Sequence, residues 1–199
     1  ARRMAGVPPD DRRGTDTTAR SVHAMTASPT STAPGADWER RNADLWAALD
    51  GMPEEDFRAA MDTLVGELPD GDGTALFERA AAWDSTGHSD RAVPLYAAAL
   101  DAAVPGERRR RAVIQMASSL RNLGRSEESV ALLTAEAART SDHLDDAVTV
   151  VLALALTDLG RAREAVSLTV TALAPHLPRY QRSMANYGRL LLERDARSE

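Results

Sequence analysis

Glycine recurs in this chain at Gly51, Gly87, Gly124 and Gly160, at spacings of 36, 37 and 36 residues. A fixed period in this range marks a stacked repeat, in which each unit buries its apolar face only against a neighbour. The last three copies agree around the glycine: Gly87-His-Ser-Asp-Arg-Ala-Val93, Gly124-Arg-Ser-Glu-Glu-Ser-Val130 and Gly160-Arg-Ala-Arg-Glu-Ala-Val166. Each carries a small residue five positions after the glycine and Val six after it.

Between the glycines the apolar spacing is helical. Trp38, Leu45 and Leu49 fall at i, i+7 and i+11 with Trp46 beside them, and Phe57, Met61, Leu64, Val65 and Leu68 form a second stripe. The pattern predicts hairpins of two helices over about 37–69, 74–104, 107–139 and 142–174, then a single helix over about 178–195 striped by Tyr180, Met184, Tyr187 and Leu191. The recurring glycine stands where the first helix of a pair ends and a left-handed backbone is wanted. Ser89 and Ser126 are candidate N-caps of the second helix, and Pro69-Asp-Gly-Asp-Gly73 is a turn leading into a helix capped by Thr74 or Asp72. Residues 1–36 are rich in Arg, Ser, Thr, Pro, Gly and Asp and read as a disordered tail. Met25 offers an alternative start, which would leave 1–24 outside the native product. The expected fold is all-α: a right-handed superhelical stack of helix-turn-helix repeats, closed by a C-terminal capping helix over the open face of the last hairpin.

Helix-turn-helix units of this period resemble tetratricopeptide repeats. Ala80, Ala117 and Ala153 stand seven before their glycines, where that family needs a small residue, and Trp83, Leu120 and Leu156 occupy its large apolar site four before. Ala92, Ser129 and Ala165 are again small. Tyr96 and Leu133 match the family's large site in the second helix, and Thr169 departs from it. The match is good over about 73–177 and weak over 37–69, where Asp44, Ala47 and Asp56 occupy packing sites. The first hairpin is a degenerate repeat or an N-terminal cap. The resemblance is to short bacterial members of the family.

Composition narrows the chemistry. All 24 basic residues are arginine and there is no cysteine, which removes lysine-based and thiol-based catalysis. A net charge of −6 argues against general nucleic-acid binding. No apolar run spans a membrane, so a cytoplasmic protein is expected. Gly87-His-Ser-Asp-Arg91 begins like a nucleophile elbow but lacks the second glycine, and its twins show it to be the repeat turn. Asp70-Gly-Asp-Gly73 lacks the ligands of a calcium loop, and His23, His88, His143 and His176 form no i, i+4 pair. No catalytic residue, cofactor or metal site is expected.

Arg108-Arg-Arg-Arg111 puts four cations at a helix start, against the helix dipole. Arg109 and Arg110 precede Gly124 by 15 and 14 residues, as Asp145 and Asp146 precede Gly160, so a charge clamp between stacked repeats is expected.

What the resemblance implies for partners is a concave face lined by the first helices of the units. Its matching positions are Phe77, Ala81, Asp84 and Ser85; Arg111, Ile114, Ser118, Arg121 and Asn122; and Val150, Leu154, Thr157 and Asp158. The expected function is non-catalytic binding of a protein or peptide there, with Arg121 and Asn122 available for planar hydrogen bonding. The lysine clamp that some members use for an acidic C-terminal peptide is absent. The rival readings are a self-associating homodimeric scaffold, with Trp38, Trp46, Tyr180 and Tyr187 as contacts, and a regulatory subunit of an enzyme.

Overall fold

The computed structural model describes residues 34–139 and 141–195. Among them the regular elements are helices: α1 (Ala36–Ala47), α2 (Glu54–Val65), α3 (Gly73–Ser85), α4 (Ser89–Asp101), α5 (Glu107–Asn122), α6 (Ser126–Arg139), α7 (Asp145–Asp158), α8 (Ala162–Leu173) and α9 (Gln181–Asp195). The disorder expected over 1–36 falls, for residues 1–33, outside the described residues, and α1 already begins at Ala36. Consecutive helices pack together, and α3, α5 and α7 also touch in series, so the chain is a stack of helical hairpins.

Three turns repeat one geometry. Gly87, Gly124 and Gly160 have φ of 80°, 73° and 75°. Their amides donate to Asp84 O, Arg121 O and Thr157 O at 2.9–3.0 Å, and the next amide donates to Trp83 O, Leu120 O and Leu156 O at 2.9 Å in each case. This paired reverse bonding consumes carbonyls that the helix end leaves unsatisfied, and it needs a residue free to adopt positive φ. Gly51 is different: it lies inside a 3₁₀ turn, Leu49–Gly51, and does not adopt positive φ. The first hairpin therefore lacks the turn that the other three share.

The expected serine caps are corrected by the structure. Ser89 and Ser126 sit inside the first turns of α4 and α6, buried, and bond to the next hairpin instead. Asn122 Nδ2 donates to Ser89 Oγ at 3.3 Å, and Ser126 Oγ donates to Asp158 Oδ2 at 3.4 Å. At α3 the cap is Asp72, whose Oδ1 accepts from the amides of Thr74 and Ala75 at 2.8 and 3.1 Å.

The small residues lie at the crossings. Ala80, Ala117, Ala92 and Ser129 are fully buried, which lets paired helices approach closely. Tyr96 and Leu133 fill the space beside them, and the Tyr96 ring meets Phe77 at 6.1 Å between centroids. Thr169, at the matching place in α8, is exposed.

The N-terminal hairpin is tied down by its tryptophans. Trp38 is buried and its indole N–H donates to Leu64 O at 3.0 Å, while Trp46 packs edge-on against Phe57 and donates to Glu78 Oε2 at 2.8 Å. Of the two tryptophans read as dimer contacts, Trp38 is thereby buried within the chain, and Trp46 stays half-buried. At the other end α9 packs on α8, where Ser167 Oγ donates to Gly188 O at 2.7 Å and Arg163 Nη2 donates to Leu191 O at 3.0 Å.

Candidate functional site

The concave positions expected from the sequence divide into two groups. In the first two matching hairpins most of them are engaged by the fold, while Ser85 stays exposed. Phe77 is 0% exposed and Ile114 9%, so neither offers surface to a partner. Ala81 is likewise buried, and Ser118 is half-buried. The Arg111 guanidinium lies 5.2 Å from the Phe77 ring centroid, a cation–π contact that covers the ring. Asp84 accepts hydrogen bonds from Ser119 Oγ at 2.6 Å and Tyr96 Oη at 3.3 Å. Burial pushes its carboxyl above the usual range, and those two hydrogen bonds oppose the shift. Arg121 Nε pairs with Asp158 Oδ2 at 2.7 Å, and Asn122 bonds to Ser89. The residues read as free hydrogen-bonding groups for a peptide are thus seam contacts between hairpins.

The second group is open. Val150 and Leu154 on α7 are 45% and 44% exposed. With Ala153 and Thr157 they form one wall of a groove whose other wall is Ala165, Val166, Thr169 and Val170 of α8, enclosing about 310 Å³. None of the described residues that line it is charged. Its two threonine hydroxyls are already used, since Thr157 Oγ1 donates to Ala153 O at 2.9 Å and Thr169 Oγ1 to Ala165 O at 2.8 Å. What remains toward solvent is an apolar slot between two rigid helices, suited to an apolar side chain rather than a charged group.

Sequence reasoning reached Val150, Leu154 and Thr157 but missed the α8 wall. A second helix is ordinarily hidden by the helix that follows it. The available signal was Thr169, the one large site filled by a small polar residue. A wider depression of about 580 Å³ lies along α9, lined by Arg182, Ser183, Ala185, Asn186 and Arg189. Among the described residues the lining comes from one helix, whereas the α7–α8 groove has two walls, and the site is better placed there.

The arginine run is explained by partners within the chain. Arg108 holds Glu39 through two bonds of 2.6 and 2.8 Å and Glu78 Oε1 at 2.7 Å. Arg109 Nη1 meets Glu136 Oε1 at 2.5 Å. Arg110, buried, reaches Asp145 Oδ1 at 2.7 Å and also pairs with Asp142. The expected clamp is present as Arg110–Asp145. Its other half is corrected: Arg109 turns to Glu136, and Asp146 faces His176 at 2.9 Å. Among the described residues no group of three His, Asp or Glu is placed to hold a metal ion, and no helix is long and apolar enough to cross a membrane.

A family model described as Tetratrico peptide repeat matches residues 73–191, more than half of the chain. No curated protein and no solved structure matches it.

Proposed function

The chain belongs to the tetratricopeptide repeat family, whose units serve in general as non-catalytic protein-interaction modules, and on that premise we propose that it binds a protein or peptide segment in the α7–α8 groove. The observation that carries this reading is the exposure of Val150 and Leu154. Their counterparts one repeat earlier, Ile114 and Ser118, and two repeats earlier, Phe77 and Ala81, are buried or half-buried. Exposed apolar surface between rigid walls costs free energy in water, about 25 cal/mol per Å², which a docking partner recovers. The earlier hairpins supply the rigid support, because their own concave residues are locked in ion pairs and core contacts.

A photo-crosslinking residue placed at position 154 or 166 tests the proposal in native lysate, with position 127 on the exposed start of α6 as control. One defined partner captured from 154 and 166 but not from 127, and lost on Val150→Glu, is expected. Equal capture from all three positions sinks it.

A second reading, self-association, is favoured by the exposure of Leu173, Tyr180, Tyr187 and Leu192 around α9. It uses a different surface, and the solution mass by light scattering separates the two.

A further inference from the structure

Three sets of residues recur at a spacing of 36 on the first helix of successive units: Ala112, Val148 and Met184; Met116, Leu152 and Gly188; Ser119, Ala155 and Leu191. In α5 and α7 the middle member is a long apolar side chain. Met116 packs into the core formed by Phe77 and Ala80 of α3 with Ala92, Tyr96 and Ala99 of α4. Leu152 packs in the same way against Ile114 and Ala117 of α5 with Leu133 of α6. The α3–α4 and α5–α6 hairpins thus each have a notch between their two helices, and the next helix inserts this long apolar side chain there, joined in α7 by the buried Val148.

At the last hairpin the knob is missing. The third member of the series is Gly188, and its backbone lies so close to α8 that an added Cβ would stand 2.6 Å from Thr171 Oγ1 and 3.1 Å from Ser167 O. With no side chain at this place to insert between α7 and α8, α9 gains its contact mainly by close approach to α8. The exposures follow the same series. Phe77, Ile114 and Val150 are 0%, 9% and 45% exposed, and Val93 and Val166 are 7% and 49%.

From this we infer that the α7–α8 groove takes an amphipathic helix of a different protein, presenting a Met, Leu or Phe knob with a small residue one turn away. The inference rests on the proposed use of the groove and adds the form and chemistry of its occupant. A helix is named because the two notches of the same build in this chain each receive one. The face it presents is uncharged, because none of the described lining residues carries a charge. A second copy of the chain is disfavoured because the helices that carry knobs, α5 and α7, are already seated within the fold, and α9 carries glycine at that place.

The probe is a capped synthetic peptide of residues 107–123, the segment that forms α5 in the fold and bears the Met116 knob, titrated into the whole protein at 0.3 M salt and followed by fluorescence anisotropy. Peptides with Met, Phe or Gly at position 116 carry the same charge, so a non-specific attraction to the acidic protein is common to all three. The Met and Phe peptides should bind, the Gly peptide should bind about tenfold more weakly or worse, and Leu154→Glu in the protein should abolish binding. Equal binding of the Gly peptide, or no binding of any, overturns the inference. A dimer in light scattering that dissociates on Leu154→Glu also overturns it, in favour of a second copy. A native partner crosslinked at position 154 as an extended segment would overturn the helix while leaving the groove proposal standing.

Discussion

Ser119 Oγ on α5 donates to Asp84 Oδ1 on α3 at 2.6 Å, joining two hairpins through a carboxylate that is largely removed from water. Burial raises the Asp84 pKa above its ordinary 3.8. A raised carboxyl favours the protonated folded state, so its contribution is fully present below the ordinary pKa and is lost as pH rises through the folded value. Asp84→Asn keeps an acceptor for Ser119 and removes the charge. Its melting temperature relative to the parent should rise as pH is taken from about 4 to 7. A variant that is less stable at pH 7 than at pH 4, relative to the parent, contradicts the burial argument.

Asp145 behaves in the opposite sense. The Ser141 hydroxyl, Arg110 and the Asp142 amide hold its carboxyl down to about 2 from 3.8. A depressed carboxyl contributes stability above its ordinary pKa, and that contribution is lost as pH falls from about 3.8 toward 2. Ser141→Ala removes the first of these partners. An NMR titration should then show the Asp145 pKa moving up toward 3.8, and an unmoved value would remove the hydroxyl from the account.

Arg108 joins three hairpins through Glu39 and the buried Glu78. Arg108→Ala strands the Glu78 charge with, among the described residues, the Trp46 indole to bond it, which should destabilise the fold by roughly 3–5 kcal/mol. Glu78→Gln in the same chain should restore part of that loss, because a neutral amide tolerates burial. Urea denaturation of the two variants decides the matter, and the absence of rescue would place the cost in lost packing of the arginine stem.

Two substitutions where the start of α3 meets the end of α4 should act in opposite directions. Ala103 closes α4 at φ 53°, with its amide on Leu100 O at 3.0 Å, in the conformation that glycine adopts at the three recurring turns. Ala103→Gly relieves about 1–2 kcal/mol of strain and is partly offset by the entropy of glycine in the unfolded chain, leaving a net gain of up to about 1 kcal/mol. Gly73 faces the backbone of Val104, where a Cβ would meet Val104 Cα at 2.8 Å and its N at 2.9 Å. Gly73→Ala should therefore destabilise by about 1–3 kcal/mol, since backbone cannot rotate away. Thermal melts of both variants check the pair of signs.

Much of the architecture was legible because it is local and periodic. Gly87, Gly124 and Gly160 announce the three reverse-bonded turns, and Ala80, Ala117, Ala92 and Ser129 announce the crossings. Gly51 shares the period but not the geometry, because a 3₁₀ turn there carries the chain into α2 without a left-handed residue. The concave-face residues were less legible. Phe77, Asp84, Arg121 and Asn122 have the positions of groove residues, yet each is engaged by a side chain from another hairpin, 33 to 37 residues away.

The sequence by itself determined the helical hairpins, their turns and the order of their stacking, because the period sets which faces must be buried against the neighbouring unit. Only the tertiary structure decided which charges pair, that Ser89 and Ser126 join hairpins rather than cap helices, and that the last notch stays open. Those outcomes depend on distances between elements far apart in the chain. At Gly188 the absence of one side chain lets α9 settle closely on α8, and no periodicity records where a helix will rest once its knob is gone.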